Sequence, residues 1–144
     1  MAVQFSNTQD AVPIDEALLR HAAQSTLDAE GAGELEVSIT ITDDARIHEL
    51  NRRWLQHDEP TDVISFPLRT PDDPDPLLGE VVCSAERARE EALRRGLRPM
   101  EELARYVVHG CLHLLGWDDR EPAEREAMHA RQEEILARVL ATGR

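Results

Sequence analysis

The sequence predicts an α/β (α+β) domain in which a small four-stranded mixed sheet packs with about five helices. Three observations carry that prediction. Short strand-like runs recur along the chain, with clear period-two alternation at 35–42 and a further run at 79–84. Apolar residues at helical spacing fill the intervals between and after these runs. No internal repeat or linker-like stretch divides the 144 residues, a length that suits one domain over 1–144 with a sizeable core.

Taken in order, Ala2 to Ser6 suits a short first strand. From Pro13 to Leu27 the residues Ile14, Ala17, Leu18, Ala22 and Leu27 follow helical spacing, with Pro13 near the first turn. Gly31-Ala32-Gly33 breaks that helix. Leu35 to Thr42 alternates, placing Leu35, Val37, Ile39 and Ile41 on one face of a half-buried strand. Asp43 or Asp44 caps a helix from Ala45 to about Leu55, and Val63 to Phe66 forms the third strand. Arg69 to Pro76 holds three prolines and three aspartates; prolines interrupt a ladder, so this is a loop, either simply solvated or using its aspartates on a metal. Gly79 to Ser84 is the fourth strand. Ser84 then opens a helix ending near Gly96, Pro99 opens one reaching Gly116, and Pro122 to Leu140 forms the last.

Composition narrows the function classes. Hydrophobic residues make up 41% and charged residues 31%, the balance of a soluble globular protein. There is no apolar run of membrane-spanning length and no basic-then-apolar leader, so a cytoplasmic protein is expected. Cys83 and Cys111 sit among apolar residues and read as reduced core thiols rather than a disulfide. A net charge of −13 argues against sequence-independent attraction to nucleic acid over the whole surface, while leaving room for a local basic groove. Every one of the 16 basic residues is arginine, whose planar fork suits phosphate recognition.

Chemistry concentrates between Tyr106 and Asp119. On a helix, positions i and i+4 differ by about 40° and one turn, so His109 and His113 stack on one face and can both reach an ion at about 2.0–2.1 Å. Cys111 points about 200° away from each and is a poor ligand. Gly116 can adopt a left-handed conformation that turns the chain back and brings Asp119 to the same ion. Three protein ligands leave a position open, the arrangement of catalytic more often than structural zinc. The bland alternative is a pair of hydrogen-bonded core histidines; the surrounding Val107, Val108, Leu112, Leu114 and Leu115 make the helix a buried one, where unpartnered imidazoles would be costly. One zinc per chain, or another divalent transition metal, is therefore expected. Gly110 stands where a zinc peptidase of the His-Glu-x-x-His type has its glutamate, so that mechanism is not expected.

The run His109-Gly110-x-Leu112-His113-Leu114-x-Gly116-Trp117-Asp118 resembles the signature of the YbeY family of bacterial endoribonucleases. Glu49-Leu50-Asn51, Pro60 to Pro67, Leu78 to Val82, Glu126-Ala127-Met128 and Gln132-Glu133 continue the likeness in order over about 45–136. The resemblance implies a zinc-dependent, single-strand-specific endoribonuclease of 16S ribosomal RNA 3′ end maturation and late-stage ribosome quality control, with the small ribosomal subunit as partner.

Two positions depart from the family pattern: Asp119 replaces a third histidine, and Leu55 replaces an arginine after the aromatic Trp54. A carboxylate ligand weakens the ion as a Lewis acid, raising the pKa of its water. Arg52, three residues before Leu55 on the same helical face, is the substitute that spacing offers for offsetting charge on phosphorus; a solvated helix arginine is the competing reading. His57 and Asp58 are further candidates or plain turn residues. Thr61, Asp62 and Ser65 either line the substrate groove or merely lead into the third strand. No general base stands out. Two alternatives stay open beside the nuclease: a ribosome-associated rRNA-processing binding factor with a mainly structural metal, and a hydrolase of other phosphoesters or peptides.

Overall fold

A computed structural model describes residues 3–55, 62–68 and 75–142, with the side chains of Trp54 and Leu55 outside that description. Nine elements follow in the order β1 (Val3–Asn7), α1 (Glu16–Ala29), β2 (Glu36–Thr42), α2 (Asp44–Leu55), β3 (Val63–Pro67), β4 (Leu77–Ser84), α3 (Ala85–Arg95), α4 (Pro99–Leu114) and α5 (Pro122–Thr142). The four strands lie in the order β1-β2-β4-β3. β1, β2 and β4 run parallel and β3 pairs antiparallel with β4, the mixed four-stranded sheet expected.

Alternation along the strands divides the packing between two faces. Val37, Ile39 and Ile41 of β2 and Val81 and Cys83 of β4 are fully buried against α1, α3, α4 and α5 in the main core. Val82 and Ile64 point the other way and meet Ile47 of α2 in a smaller cluster. At roughly 1.5–3 kcal/mol for each large apolar side chain fully buried, the first face supplies most of the cohesion.

Several boundaries moved for identifiable reasons. α1 begins at Glu16 rather than near Pro13, because Asp15 is its cap: the carboxylate accepts from the Leu18 amide at 3.2 Å. Between the two aspartates considered for α2, Asp43 does the capping, accepting from the Arg46 amide at 2.7 Å. β4 starts at Leu77, two residues earlier than expected, since Leu77 pairs with Glu36 before the register shifts at Val37. α4 stops at Leu114, short of Gly116. Ser84 and Gly96 cap α3 as read from the sequence, Gly96 at φ +70°. Both cysteines are free and buried. Burial pushes the Cys111 thiol up to about 12 and raises Cys83 well above the ordinary thiol range. Of the loop from Arg69 to Pro76, only Asp75 and Pro76 fall within the described residues.

Candidate metal centre

α4 is the helix on which the site is built. Pro99 occupies its first turn, and its middle is buried from Leu103 to Leu112 apart from the stripe carrying Arg105 and His109. Gly110 lets α4 press onto the sheet: a Cβ there would meet Val81 Cγ1 at 2.6 Å and Cγ2 at 3.0 Å. The Ser65 hydroxyl of β3 donates to the Gly110 carbonyl at 3.1 Å, tying the helix to the strand at the level of the two histidines.

The helix is buried, but the imidazoles are only partly so: the side chains of His109 and His113 are 28% and 30% exposed. The cost of burial that the sequence suggested is therefore smaller than expected, and convergence of donors is what marks the site. The two rings lie 4.6 Å apart, edge to face at 78°. Their Nε2 atoms sit 3.8 Å and 3.4 Å from the same oxygen, Asp119 Oδ2. Tetrahedral ligands at roughly 2.0–2.2 Å from an ion are about 3.3–3.6 Å from one another. His109, His113 and Asp119 thus lie near a metal's ligand spacing, with all three donor atoms within 4.8 Å of one another, and among the described residues they are the group of histidine, cysteine and acidic side chains so disposed.

The turn that delivers Asp119 is determined locally. Gly116 has φ +103°; its amide donates to the His113 carbonyl at 3.0 Å and the Trp117 amide to the Leu112 carbonyl at 3.0 Å, the pair of bonds of a Schellman cap. Asp118 is not a ligand, because its carboxylate accepts from the Asp119 and Arg120 amides at 2.7 and 3.2 Å and from the Arg120 guanidinium. Arg120 above all holds the Asp118 carboxyl below its usual range. Farther out, the Trp117 indole donates to Glu30 at 2.6 Å and Glu30 pairs with Arg131 at 2.9 Å, anchoring the turn to α1 and α5.

The surroundings of His109 favour its neutral form. Burial is the largest influence on His109 and lowers its pKa; neighbouring His113 lowers it further, against a hydrogen bond with Gln132 that works the other way. A neutral imidazole is the form that coordinates metal. His113 Nδ1 lies 3.1 Å from the Trp117 carbonyl. A carbonyl only accepts, so in the neutral ring the proton sits on Nδ1, leaving Nε2 as the nitrogen available to an ion.

Two cavities meet at His109. One, of about 400 Å³, is lined by Asp62, Ser65, His113 and Asp119. The other, of about 500 Å³, runs between α3, α4 and α5 past Arg95, Arg105, Tyr106 and Gln132. Asp62 and Ser65 are thus beside the triad, as their groove-lining reading requires. Arg52 lies exposed on α2 and lines neither cavity. Thr61, His57, Asp58 and the Leu55 side chain lie outside the described residues. Sequence reasoning missed the parts played by Gln132, Trp117 and Glu30. Gln132-Glu133 and Trp117 stood in the motifs quoted above, but no local spacing links them to the histidines.

Comparison with known proteins bears directly on this geometry. Residues 4–140 match the family model described as Endoribonuclease YbeY. The chain belongs to the YbeY family. Its relatives named endoribonuclease YbeY include one from Pelotomaculum thermopropionicum, 43% identical over 99% of both chains. Another, from Moorella thermoacetica, is 44% identical over 96% of this chain and 97% of its own. A protein of Thermotoga maritima solved in solution has the same fold, with a TM-score of 0.67 and 25% identity over 96% of this chain and 89% of that one. Set on this YbeY scaffold, the triad stands at the junction of the two cavities. Among the described residues no helix is long and apolar enough to cross a membrane.

Proposed function

We propose that residues 1–144 form one metal-dependent domain, a single-strand-specific endoribonuclease acting on ribosomal RNA. Its task on this reading is 3′ end maturation of 16S ribosomal RNA and late-stage quality control of the small ribosomal subunit, in the cytoplasm. The observation that carries the reading is the convergence of His109 Nε2, His113 Nε2 and Asp119 Oδ2 at the mouth of two cavities, in a chain whose relatives are named endoribonucleases.

Two nitrogen donors and one carboxylate oxygen at tetrahedral spacing suit zinc and leave a coordination position open. When bound there, the ion supplies Lewis acidity toward a phosphodiester. The chain's own residues hold and orient: the Trp117 carbonyl fixes the His113 ring, the Asp118 turn presents Asp119, and Asp62 and Ser65 border the approach. Arg52 is retained as the candidate for offsetting charge on phosphorus, with Thr61 beside Asp62 and Ser65 as a candidate substrate contact.

A second reading draws on a specific feature. Arg87, Arg95 and Arg105 line the larger cavity, yet each engages a carboxylate, Asp44 at 3.1 Å for Arg87, Glu102 at 3.0 Å for Arg95, and Glu133 at 2.9 Å for Arg105. Together with Asp119 and Leu55, this favours a ribosome-associated rRNA-processing factor with a mainly structural metal over a fast nuclease. The test is to incubate zinc-loaded protein, chelator-treated protein and the zinc-treated Asp119→Ala variant with single-stranded RNA. Cleavage by the first alone supports the nuclease; no cleavage with small-subunit binding intact supports the second reading.

A further inference from the structure

We infer that Gln132 is a positioning residue of the metal centre: its amide oxygen holds the His109 imidazole in the tautomer that turns Nε2 toward the ion. The inference rests on the reading of His109, His113 and Asp119 as metal ligands.

Gln132 lies on α5 and is 6% exposed, so water does not compete for its amide. One side of the amide is 2.7 Å from His109 Nδ1 and the other is 3.0 Å from Glu133 Oε2. Which side carries the oxygen is decided by Glu133. Its carboxylate receives Nε and Nη2 of Arg105 at 2.9 and 3.0 Å, the bidentate pairing of an ionised acid. An ionised carboxylate only accepts, so the group facing it is the Gln132 NH2. Oε1 is thereby aimed at His109, and an oxygen there requires the proton on Nδ1. Nε2 is left with its lone pair toward Asp119. Flipping the amide would set oxygen against carboxylate and lose that bond, and its NH2 would then face Nδ1 and favour the tautomer with the proton on Nε2.

The orientation is held at long range. Arg105 also bonds Glu102, which is 1% exposed and takes a second arginine, Arg95, at 3.0 Å. A continuous run of hydrogen bonds therefore leads from the imidazole through Gln132, Glu133, Arg105 and Glu102 to Arg95 along the wall of the larger cavity. The two histidines are oriented by different devices. His113 relies on a backbone carbonyl, which no side-chain substitution removes. His109 relies on one buried glutamine.

A glutamine that merely fills space predicts loss of stability alone when replaced; a positioning glutamine predicts loss of metal affinity that the right acceptor restores. Gln132→Met keeps volume and removes the acceptor. Gln132→Glu combined with Glu133→Gln exchanges the two groups: an oxygen still faces Nδ1–H, an NH2 still lies between the two side chains, and the residue at 133 still offers Arg105 an oxygen. Zinc affinity is measured by competition with a chromophoric chelator, ligand geometry by the visible bands of the cobalt-loaded protein, and folding by the melting of the metal-free protein. Gln132→Met is expected to bind zinc about 10–100-fold more weakly with altered cobalt bands, and the exchanged pair to recover most of that loss. Glu133→Gln, at a half-exposed position, serves should Gln132→Met not fold: it frees the amide to flip, and an affinity loss of about tenfold is expected. Folded Gln132→Met or Glu133→Gln protein with wild-type zinc affinity and cobalt bands, or the exchanged pair as impaired as Gln132→Met, overturns the inference while the metal site stands. Wild-type protein that takes up neither zinc nor cobalt overturns the metal site and this inference with it.

Discussion

Replacing Gly110 by alanine sets two effects of opposite sign against each other. Alanine is the better helix former by about 1 kcal/mol in a helix interior, so α4 considered alone predicts stabilisation. The packing predicts the reverse. The new methyl would lie 2.6 Å from Val81 Cγ1 and 3.0 Å from Cγ2, with Ser65 Oγ at 3.3 Å. Val81 is fully buried on β4, an interior strand flanked by β2 and β3, and its branched side chain has little rotamer freedom. Reaching an ordinary carbon contact needs roughly 1 Å of movement between helix and sheet. Overpacking of this kind costs about 1–3 kcal/mol, here toward the upper end because neither element yields easily. The net expectation is about 2 kcal/mol of destabilisation, or roughly 4–8 °C in melting temperature for a chain of this size. Urea and thermal unfolding of the metal-free protein measure it. Stability equal to or above wild type would refute the reasoning, because it would mean that α4 does not press on β4 through this glycine.

Other perturbations separate the remaining forces. Gly116→Ala meets no atom within 4 Å, yet at φ +103° it is expected to cost about 1–2 kcal/mol through backbone strain and to weaken zinc binding by loosening Asp119, both readable in one metal titration with melting curves. Glu102→Ala removes the carboxylate shared by Arg95 and Arg105; since Arg105 keeps Glu133, a loss of about 2–4 kcal/mol in urea unfolding is expected, and an unchanged midpoint would count against the network. The buried thiols give a pH dependence. Their folded pKa values lie above the unfolded ones, so the unfolded chain ionises first, and stability is expected to fall as pH rises from the ordinary thiol range toward about 12, less steeply in Cys111→Ala. Neither cysteine should react with a thiol reagent at pH 8 until denaturant is added. Asp119→His, which adds a third imidazole, is expected to keep one ion per chain and to raise metal-dependent RNA cleavage; slower cleavage with full occupancy would show that the carboxylate is not what limits the ion's acidity.

What could be read from sequence alone follows the range of the forces involved. Strand alternation in β2, the i and i+4 histidines, the capping residues Ser84 and Gly96 and the turn glycine Gly116 all act within a few residues, and spacing encodes them. The convergence of His109, His113 and Asp119 was legible for the same reason, since one helical turn and one Schellman cap bring the three together. Local cues also misled where two competed: Pro13 looked like a first-turn residue, but Asp15, two residues later, offered the Leu18 amide a hydrogen-bond acceptor.

Tertiary structure decided the rest. Only the sheet order places β3 antiparallel beside β4, which sets Asp62 and Ser65 at the triad's edge. Only helix packing brings Gln132 across 23 residues of chain to His109, and Glu30 across 87 to Trp117. Exposure was likewise out of reach of the pattern: an apolar helix was rightly expected to be buried, while its two histidines open onto cavities formed by elements distant in sequence. The donors that could hold an ion are local, because a helix and its cap supply their geometry. The groups that aim them are remote, because an imidazole's second nitrogen points away from its own helix and must find its partner on another element.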